Sequence, residues 1–222
     1  MDYYPVFFRQ NVLVDSTMDS LICVDGVVGA GKTTLGEILC RQLNFSFFKE
    51  PVDDNPLLAK FYHDQERYSF PMQVYFLNKR FRMLKEAAAL PNSCLMDRSI
   101  YGDVIFARLL MLQGKMSQEE FELYEELLFN MLEHVARPKL MVYLQIDVDN
   151  AIKRIQERGR DFEQAVPRQY WELLNQEYEH YFKNYDFSEL LVIDVNDADF
   201  REEGAVQERI IRTIADKLHL EV

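Results

Sequence analysis

A glycine-rich loop near the start of the chain constrains the fold more than any other feature of the sequence. It has the spacing G-x-x-x-x-G-K-S/T, follows an apolar run over 21–24 and precedes a helical pattern over 32–43. Its residues are Gly26, Val27, Val28, Gly29, Ala30, Gly31, Lys32, Thr33 and Thr34. Glycines let such a loop curl until its N–H groups point inward, and the helix N-terminus behind them adds partial positive charge. The loop is therefore predicted to bind phosphate groups.

Two side chains of the loop supply the charge and the hydroxyl that a triphosphate site requires. Lys32 is placed to contact the terminal phosphates of a bound ligand, and Thr33 offers its hydroxyl to Mg²⁺. A chance match inside an ordinary turn is the alternative. The strand before the loop and the helix after it are the context that the motif requires, so the phosphate-binding interpretation is favoured.

Short apolar runs alternate with segments of helical period along the rest of the chain. Strands are predicted over 21–24, 45–48, 93–96, 140–146 and 190–193. Helices are predicted over 32–43, 55–62, 69–89, 103–112, 117–136, 147–158, 167–184 and 205–219. This alternation is typical of an α/β fold with a parallel sheet flanked by helices on both faces. Ligands of such folds bind beyond the carboxyl ends of the strands, so residues that follow strands are the first candidates for chemistry.

Charged residues follow the second and third predicted strands. Glu50 ends the second strand, where its carboxylate can accept a proton from a hydroxyl nucleophile. Asp97 ends the third strand and is placed to hold Mg²⁺, directly or through water. The next residue, Arg98, can stabilise phosphoryl charge or orient the attacking oxygen. The alternatives are a solvated glutamate and a structural salt bridge between Asp97 and Arg98.

A basic segment follows the fourth predicted strand in an otherwise acidic protein. Its cations are Lys153, Arg154, Arg158 and Arg160. Gly159 breaks the helix among them and provides a hinge. Cations on a mobile segment suit a lid, expected over about 154–166, that closes over phosphates. The alternative is a solvated helix C-terminus whose cations complement the helix dipole.

Two polar residues interrupt the apolar stripe of the long third helix. Gln73 and Arg80 share one face with Leu77 and Leu84. A carboxamide can pair both a donor and an acceptor with the edge of a nucleobase. The alternative is that Arg80 extends to water while Gln73 bonds the backbone.

Composition narrows the classes of partner. With 25 Lys and Arg against 37 Asp and Glu, the net charge of −12 argues against binding to nucleic-acid polymers or anionic membranes. The three cysteines show neither disulfide nor metal-ligand spacing, which indicates reduced thiols and a cytoplasmic protein. No apolar run is long enough to span a membrane. Residues 1–19 lack the features of a signal peptide and are expected to be a flexible extension, or to precede a true start at Met18.

Taken in order, these motifs resemble those of the deoxynucleoside kinase family from residue 21 to the last helix. The residues that carry the resemblance are the phosphate loop, Glu50-Pro51-Val52, Asn55-Pro56, Phe61-Tyr62-His63-Asp64, Ser69-Phe70-x-x-Gln73, Asp97-Arg98-Ser99-x-Tyr101-x-Asp103 and Arg154-x-x-x-Arg158-Gly159-Arg160-x-x-Glu163. The resemblance implies a P-loop kinase fold over 20–222, with five parallel strands and a small lid. It also implies transfer of the γ-phosphate of ATP, or of another nucleoside triphosphate, with Mg²⁺, to the 5′-hydroxyl of a deoxynucleoside.

The resemblance further implies a role for each matching side chain. Glu50 is the base for the 5′-hydroxyl, and Arg98 contacts the same oxygen. The sugar 3′-hydroxyl is held by Tyr62 and Glu163. The edge of the nucleobase meets Gln73, Arg80 and Asp103. The phosphates are covered by the lid residues Arg154, Arg158 and Arg160. The stretch 197–200 falls where the family encloses the donor adenine. Homodimers, and feedback inhibition by end-product triphosphates, are further properties of the family.

One position departs from many members of the family. Asp97 stands where they have Glu, and its shorter side chain favours contact with Mg²⁺ through water. Asp at this position is familiar in bacterial members, which share Asn55-Pro56 and often prefer purine deoxynucleosides. The resemblance therefore implies a purine substrate, deoxyadenosine first.

Three other functions are open at this point. A thymidylate kinase has a related fold, but its substrate brings an acceptor phosphate that Glu50 would repel. A GTPase needs an Asn-Lys-x-Asp motif, whereas Asn78-Lys79 lies inside a predicted helix. A non-catalytic binding subunit is disfavoured by the intact Lys32 and Arg98.

Overall fold

The computed structural model describes residues 18–51, 55–198, 200 and 204–220, without the side chains of 161 and 162. Its five strands are β1 Leu21–Asp25, β2 Ser46–Phe48, β3 Cys94–Asp97, β4 Leu140–Gln145 and β5 Glu189–Asp194. The helices in these ranges are α1 Lys32–Leu43, α2 Leu58–His63, α3 Gln65–Ala88, α4 Asp103–Leu112, α5 Gln118–Leu132, α6 Val148–Arg158, α7 Asp161–Gln164, α8 Arg168–Lys183 and α9 Ala205–Leu218. Most of the expected extension, residues 1–17, lies outside the described residues, as do Val52 and Asp199.

The strands form one sheet in the order β2-β3-β1-β4-β5, and every neighbouring pair is parallel. The predicted parallel five-stranded sheet is therefore confirmed. The central strand β1 is wholly buried and pairs Val24 with Asp97 of β3 on one side and with Val142 of β4 on the other. Because these strands are parallel, the loops after β1, β2 and β3 leave the sheet at the same edge.

Helix α1 fixes the direction in which the chain leaves the phosphate loop. It packs on the neighbouring strands so closely that a Cβ at Gly36 would lie 2.7 Å from the Phe47 ring and 3.2 Å from Leu95. Its last turn ends at Asn44, which adopts a left-handed conformation that Asn tolerates better than most residues.

Among the described helices, none is both long and apolar enough to cross a membrane.

Several element boundaries differ from the sequence prediction. Helix α3 begins at Gln65 rather than 69, because the Asp64 side chain accepts a hydrogen bond from the Arg67 N–H and caps an earlier turn. Helix α5 ends at Leu132 rather than 136, and the segment that follows it contains the buried Val135. The short helix α7 was not predicted, because one turn is too short to show helical periodicity.

Candidate active site

The phosphate loop wraps around the ammonium group of its own lysine. Lys32 Nζ donates to the carbonyl oxygens of Gly26 at 2.9 Å and Val27 at 2.8 Å. Burial, together with the positive charge of the nearby Arg98, lowers the pKa of Lys32 to about 7. Since Arg98 follows β3, the structure brings two of the predicted phosphate-contacting cations together at one edge of the sheet.

Gly29 shows why the loop depends on glycine. Its φ of 87° lies in the left-handed region, and a Cβ there would come 2.7 Å from the carbonyl oxygen of Ala151 in α6. The loop and the helix that carries the predicted lid are therefore in direct backbone contact.

We expect Gly29→Ala to destabilise the protein by about 1–3 kcal/mol beyond the backbone strain, because the backbone oxygen of Ala151 cannot move aside. Gly114→Ala is the matched control, since Gly114 has φ 68° but no atom within 4 Å of an added Cβ. Urea unfolding of both variants, with and without ATP, measures the difference. Equal midpoints for the two variants would show that the contact with α6 is not tight.

Glu50 lies between two arginines at the end of β2. Its Oε1 is 2.9 Å from Arg80 Nη2 and 2.8 Å from Arg98 Nε. Burial alone would raise the pKa of Glu50, but the positive charges of Arg98, Arg80 and Lys32 outweigh it and hold the pKa below its ordinary value. The carboxylate is therefore ionised at neutral pH, the state that a general base requires.

Thr33 and Asp97, the predicted metal ligands, are in direct contact. The Thr33 hydroxyl donates to Oδ2 of Asp97, while Oδ1 of Asp97 is buried and has no hydrogen-bond partner in the described ranges. Burial raises the pKa of Asp97 despite the opposing charge of Lys32. A hydroxyl and a single carboxylate suit Mg²⁺, which is commonly held by one or two carboxylates together with substrate phosphates. No group of three metal-ligating acids, histidines or cysteines occurs in the described part of the chain.

The three residues expected at the base edge lie at buried positions, and one of them, Arg80, contacts Glu50. Arg80 Nη1 donates to Oδ1 of Asp103, and its other terminal nitrogen pairs with Glu50. Arg80 therefore does not extend to water. Gln73 is only 6% exposed, and none of the described hydrogen bonds involves its carboxamide. Burial raises the pKa of Asp103 to about 7 against the charge of Arg80, and Oδ2 of Asp103 has no partner in the described ranges.

The expected sugar-binding pair lies beside the lid cations. Glu163 is buried, and both of its oxygens are 2.7 Å from Arg158 Nη2, with Arg160 Nη1 at 3.6 Å. Partial burial, followed by the negative charges of Glu163 and Glu50, raises the pKa of Tyr62. Tyr62 is thus close to both carboxylates. Gly159, with φ 70°, ends α6 between the two arginines.

A cavity of about 490 Å³ adjoins the phosphate loop on the side of α6. Its lining residues are Gly29, Gly31, Thr34, Asn150, Lys153, Arg154, Glu157, Arg158, Asn196, Asp197, Ala198 and Phe200. Arg154 borders it and donates to the carbonyl oxygens of Val195 at 2.6 Å and Ala198 at 2.9 Å. The cavity is large enough for part of a nucleotide. It is lined by the described residues of the stretch 197–200, which was expected to enclose the adenine of the phosphate donor.

Sequence reasoning missed two buried residues next to Arg98. Asp25 ends β1 and accepts hydrogen bonds from the backbone N–H groups of Gly26 and Ser99. Tyr178, on α8, accepts a hydrogen bond from Arg98 Nη1 at 2.6 Å. An acid that ends a buried strand was a signal for Asp25, whereas no sequence pattern singles out Tyr178.

The fold and the site together define a P-loop kinase. A phosphate loop follows the central parallel strand, and an ionised carboxylate lies between two arginines at the same sheet edge. This arrangement suits transfer of a phosphoryl group to a hydroxyl acceptor. The comparisons with known proteins narrow the class.

A family model described as "Deoxynucleoside kinase" matches residues 22–219. The chain is 39% identical over 208 residues to the deoxyguanosine kinase of Lactobacillus acidophilus, with 90% of this chain and 91% of that protein covered. It is 37% identical to the deoxyadenosine/deoxycytidine kinase of Bacillus subtilis, covering 90% and 94%. The solved structure of deoxyadenosine kinase from M. mycoides with bound dATP has a TM-score of 0.78 and 33% identity, covering 90% and 99%.

The chain belongs to the deoxynucleoside kinase family. It is an enzyme that phosphorylates the 5′-hydroxyl of deoxynucleosides, and the expectation from the sequence is confirmed at this level. The alternative functions left open by the sequence, a thymidylate kinase and a non-catalytic binding subunit, are not favoured.

Proposed function

We propose that the enzyme prefers purine deoxynucleosides, deoxyadenosine first, as acceptors of the γ-phosphate of ATP. The buried carboxamide of Gln73 is the group proposed to pair with the base, because its donor and acceptor are both available on a face that also holds Arg80. The edge of adenine offers a ring nitrogen acceptor and an exocyclic amine donor, which match such a carboxamide. The second oxygen of Asp103 adds another acceptor near the same base edge.

The named relatives support a purine preference. They include deoxyguanosine kinases, a deoxyadenosine/deoxycytidine kinase and a deoxyadenosine kinase. The similar structure from M. mycoides is a deoxyadenosine kinase. These names leave adenine, guanine and cytosine as candidate bases. The carboxamide matches the acceptor–donor edge of adenine and of cytosine alike, so adenine is proposed first because deoxyadenosine kinases are among the relatives.

For the acceptor side, we propose that Glu50 removes the proton of the 5′-hydroxyl while Arg98 orients the same oxygen. The 2.8 Å contact between the two side chains places a base and a hydrogen-bond donor around one point. Tyr62 and Glu163 would hold the sugar 3′-hydroxyl, which fixes the distance between the 5′-hydroxyl and the carboxylate of Glu50. Holding the acceptor at several points lowers the entropic cost of reaching the reactive geometry.

For the donor side, we propose that Lys32 moves from the loop carbonyls to the terminal phosphates of ATP. Thr33 and Asp97 would hold Mg²⁺, which would neutralise part of the negative charge on the phosphates of ATP. The segment 154–166 would act as a lid, with Arg154, Arg158 and Arg160 facing the phosphates. The glycine hinge at the end of α6 and the partial exposure of Arg158 support this motion.

The test is a comparison of kcat/KM for deoxyadenosine, deoxyguanosine, deoxycytidine and thymidine with ATP at one saturating concentration. We expect deoxyadenosine to give the highest value. Gln73→Leu keeps the volume of the side chain but removes both hydrogen-bonding groups, and it should cost about 10- to 100-fold in kcat/KM for deoxyadenosine. A highest value for either pyrimidine would contradict the purine preference, and an unchanged profile in Gln73→Leu would contradict the proposed role of the carboxamide.

We also propose that the enzyme acts in the cytoplasm as a homodimer. All three cysteines are free, which supports a reducing compartment. Exposed leucines on two adjacent helices, Leu112 of α4 and Leu123 of α5, support a contact between two copies. Light scattering coupled to size-exclusion chromatography should give twice the mass of 26.4 kDa.

A further inference from the structure

One buried carboxylate, that of Asp25, holds several groups at the carboxyl end of β1. Asp25 is 1% exposed. Its Oδ1 accepts from the Gly26 N–H at 2.8 Å and from the Tyr178 hydroxyl at 3.2 Å. Its Oδ2 accepts from the Ser99 N–H at 3.0 Å and from the Ser99 hydroxyl at 2.8 Å. The carboxylate therefore joins the start of the phosphate loop to the residue that follows Arg98.

The hydroxyl of Tyr178 links this carboxylate to the guanidinium of Arg98. Arg98 Nη1 donates to the hydroxyl at 2.6 Å, and the hydroxyl donates onward to Asp25. The order of donors is fixed, because an arginine has no acceptor and a carboxylate has no proton to give. Tyr178 is fully buried, and burial raises its pKa well above the ordinary value, so the hydroxyl keeps its proton.

The backbone of Arg98 also needs an external restraint. Its φ of 69° lies in the left-handed region, which is strained for a residue other than glycine. The Arg98 N–H bonds the Val24 carbonyl at 2.9 Å, and Ser99 is held by Asp25. The Phe106 ring, 4.8 Å from the guanidinium carbon, packs against its face. Main chain and side chain of Arg98 are thus both held, directly or through Tyr178, by groups at the end of β1.

We infer that Tyr178, anchored by Asp25, is a positioning residue that holds the guanidinium of Arg98 at the angle needed to meet the acceptor oxygen. This inference rests on the proposed role of Arg98. Tyr178 acts only through Arg98 and does not touch substrate. Because Asp25 also holds Gly26, the hydrogen bonds of Asp25 and Tyr178 together fix the position of Arg98 relative to the phosphate loop.

The test is Tyr178→Phe, which removes the hydroxyl and keeps the ring that lies near Phe106 and Tyr143. We expect kcat to fall roughly 10- to 100-fold, because a small misplacement of Arg98 weakens contact with the transferring group, while KM for ATP changes less than about twofold. Tyr143→Phe is the matched control. Tyr143 is 2% exposed and stacks on the Tyr178 ring, but its hydroxyl bonds Glu179 at 3.1 Å instead. We expect it to retain wild-type kcat.

A double-mutant cycle with Arg98→Lys separates positioning from a merely structural effect. If Tyr178 acts through Arg98, Tyr178→Phe should have no further effect on kcat once Arg98 is lysine. Equal, independent losses in both backgrounds would overturn the inference, as would wild-type kcat in Tyr178→Phe. If Arg98→Lys alone left kcat unchanged, the proposed role of Arg98 itself would be wrong. Urea unfolding of each variant identifies any loss of kcat that comes from unfolding.

Discussion

Replacing Glu50 by Gln should lower kcat by roughly 10²–10⁴-fold, the contribution expected of a general base. Glutamine has the same shape but cannot take up the proton of the 5′-hydroxyl. ATP binding should remain close to wild type, because the phosphate loop does not include this residue. Initial rates with deoxyadenosine, together with calorimetric titration of ATP, separate the two effects. The arginines on either side of Glu50 keep its pKa low, so the wild-type carboxylate is ready to act as a base throughout the neutral range.

Glu86→Gln is a suitable control for this substitution. Glu86 also pairs with an arginine, Arg82 at 2.9 Å, but the pair lies exposed on α3 and outside the site. Exposed pairs of this kind contribute little, so wild-type turnover is expected. Near wild-type turnover in Glu50→Gln would show that another group accepts the proton.

Replacing Lys32 by Met should have the second large effect, a loss of roughly 10²–10³-fold in kcat. A loss of this size is typical when an enzyme lacks one hydrogen-bond donor that stabilises negative charge in the transition state. Methionine fills a similar volume but carries no charge to the phosphates. It also leaves the carbonyl oxygens of Gly26 and Val27 without the donor that they have in this structure. ATP affinity should therefore fall as well, unlike in Glu50→Gln.

The control for the lysine is Lys217→Met on α9. Lys217 pairs with Glu189 at 2.6 Å in an exposed position, far along the chain from the phosphate loop. Calorimetric titration of ATP into both variants, followed by rate measurements, gives the comparison. Unchanged ATP affinity and kcat in Lys32→Met would contradict the assignment of the loop as the donor site.

The parts of the fold that depend on local pattern could be predicted from the sequence. The phosphate loop has fixed spacing, and the apolar runs predicted five parallel strands whose ends differ from the observed ones by at most one residue. The order β2-β3-β1-β4-β5 was not predicted, because it depends on which helices cross which face of the sheet. The early start of α3 depended on a single capping side chain, Asp64.

The site shows the same division between local and long-range information. Glu50, Asp97 and Arg98 were found because each follows a strand, and parallel strands place their ends together. Tyr178 was missed because it contacts Asp25 across 153 residues of sequence and lies in a helix with no motif. Pairings of Arg80 with Asp103 and Glu50 likewise join three separate elements and become visible only in three dimensions.

The most direct test of the central claim is identification of the product formed from ATP and deoxyadenosine. We expect chromatography to show the 5′-monophosphate and ADP in equal amounts, with thymidine monophosphate left unchanged in a parallel reaction. Conversion of thymidine monophosphate to the diphosphate, with no phosphorylation of any of the four deoxynucleosides, would contradict the account.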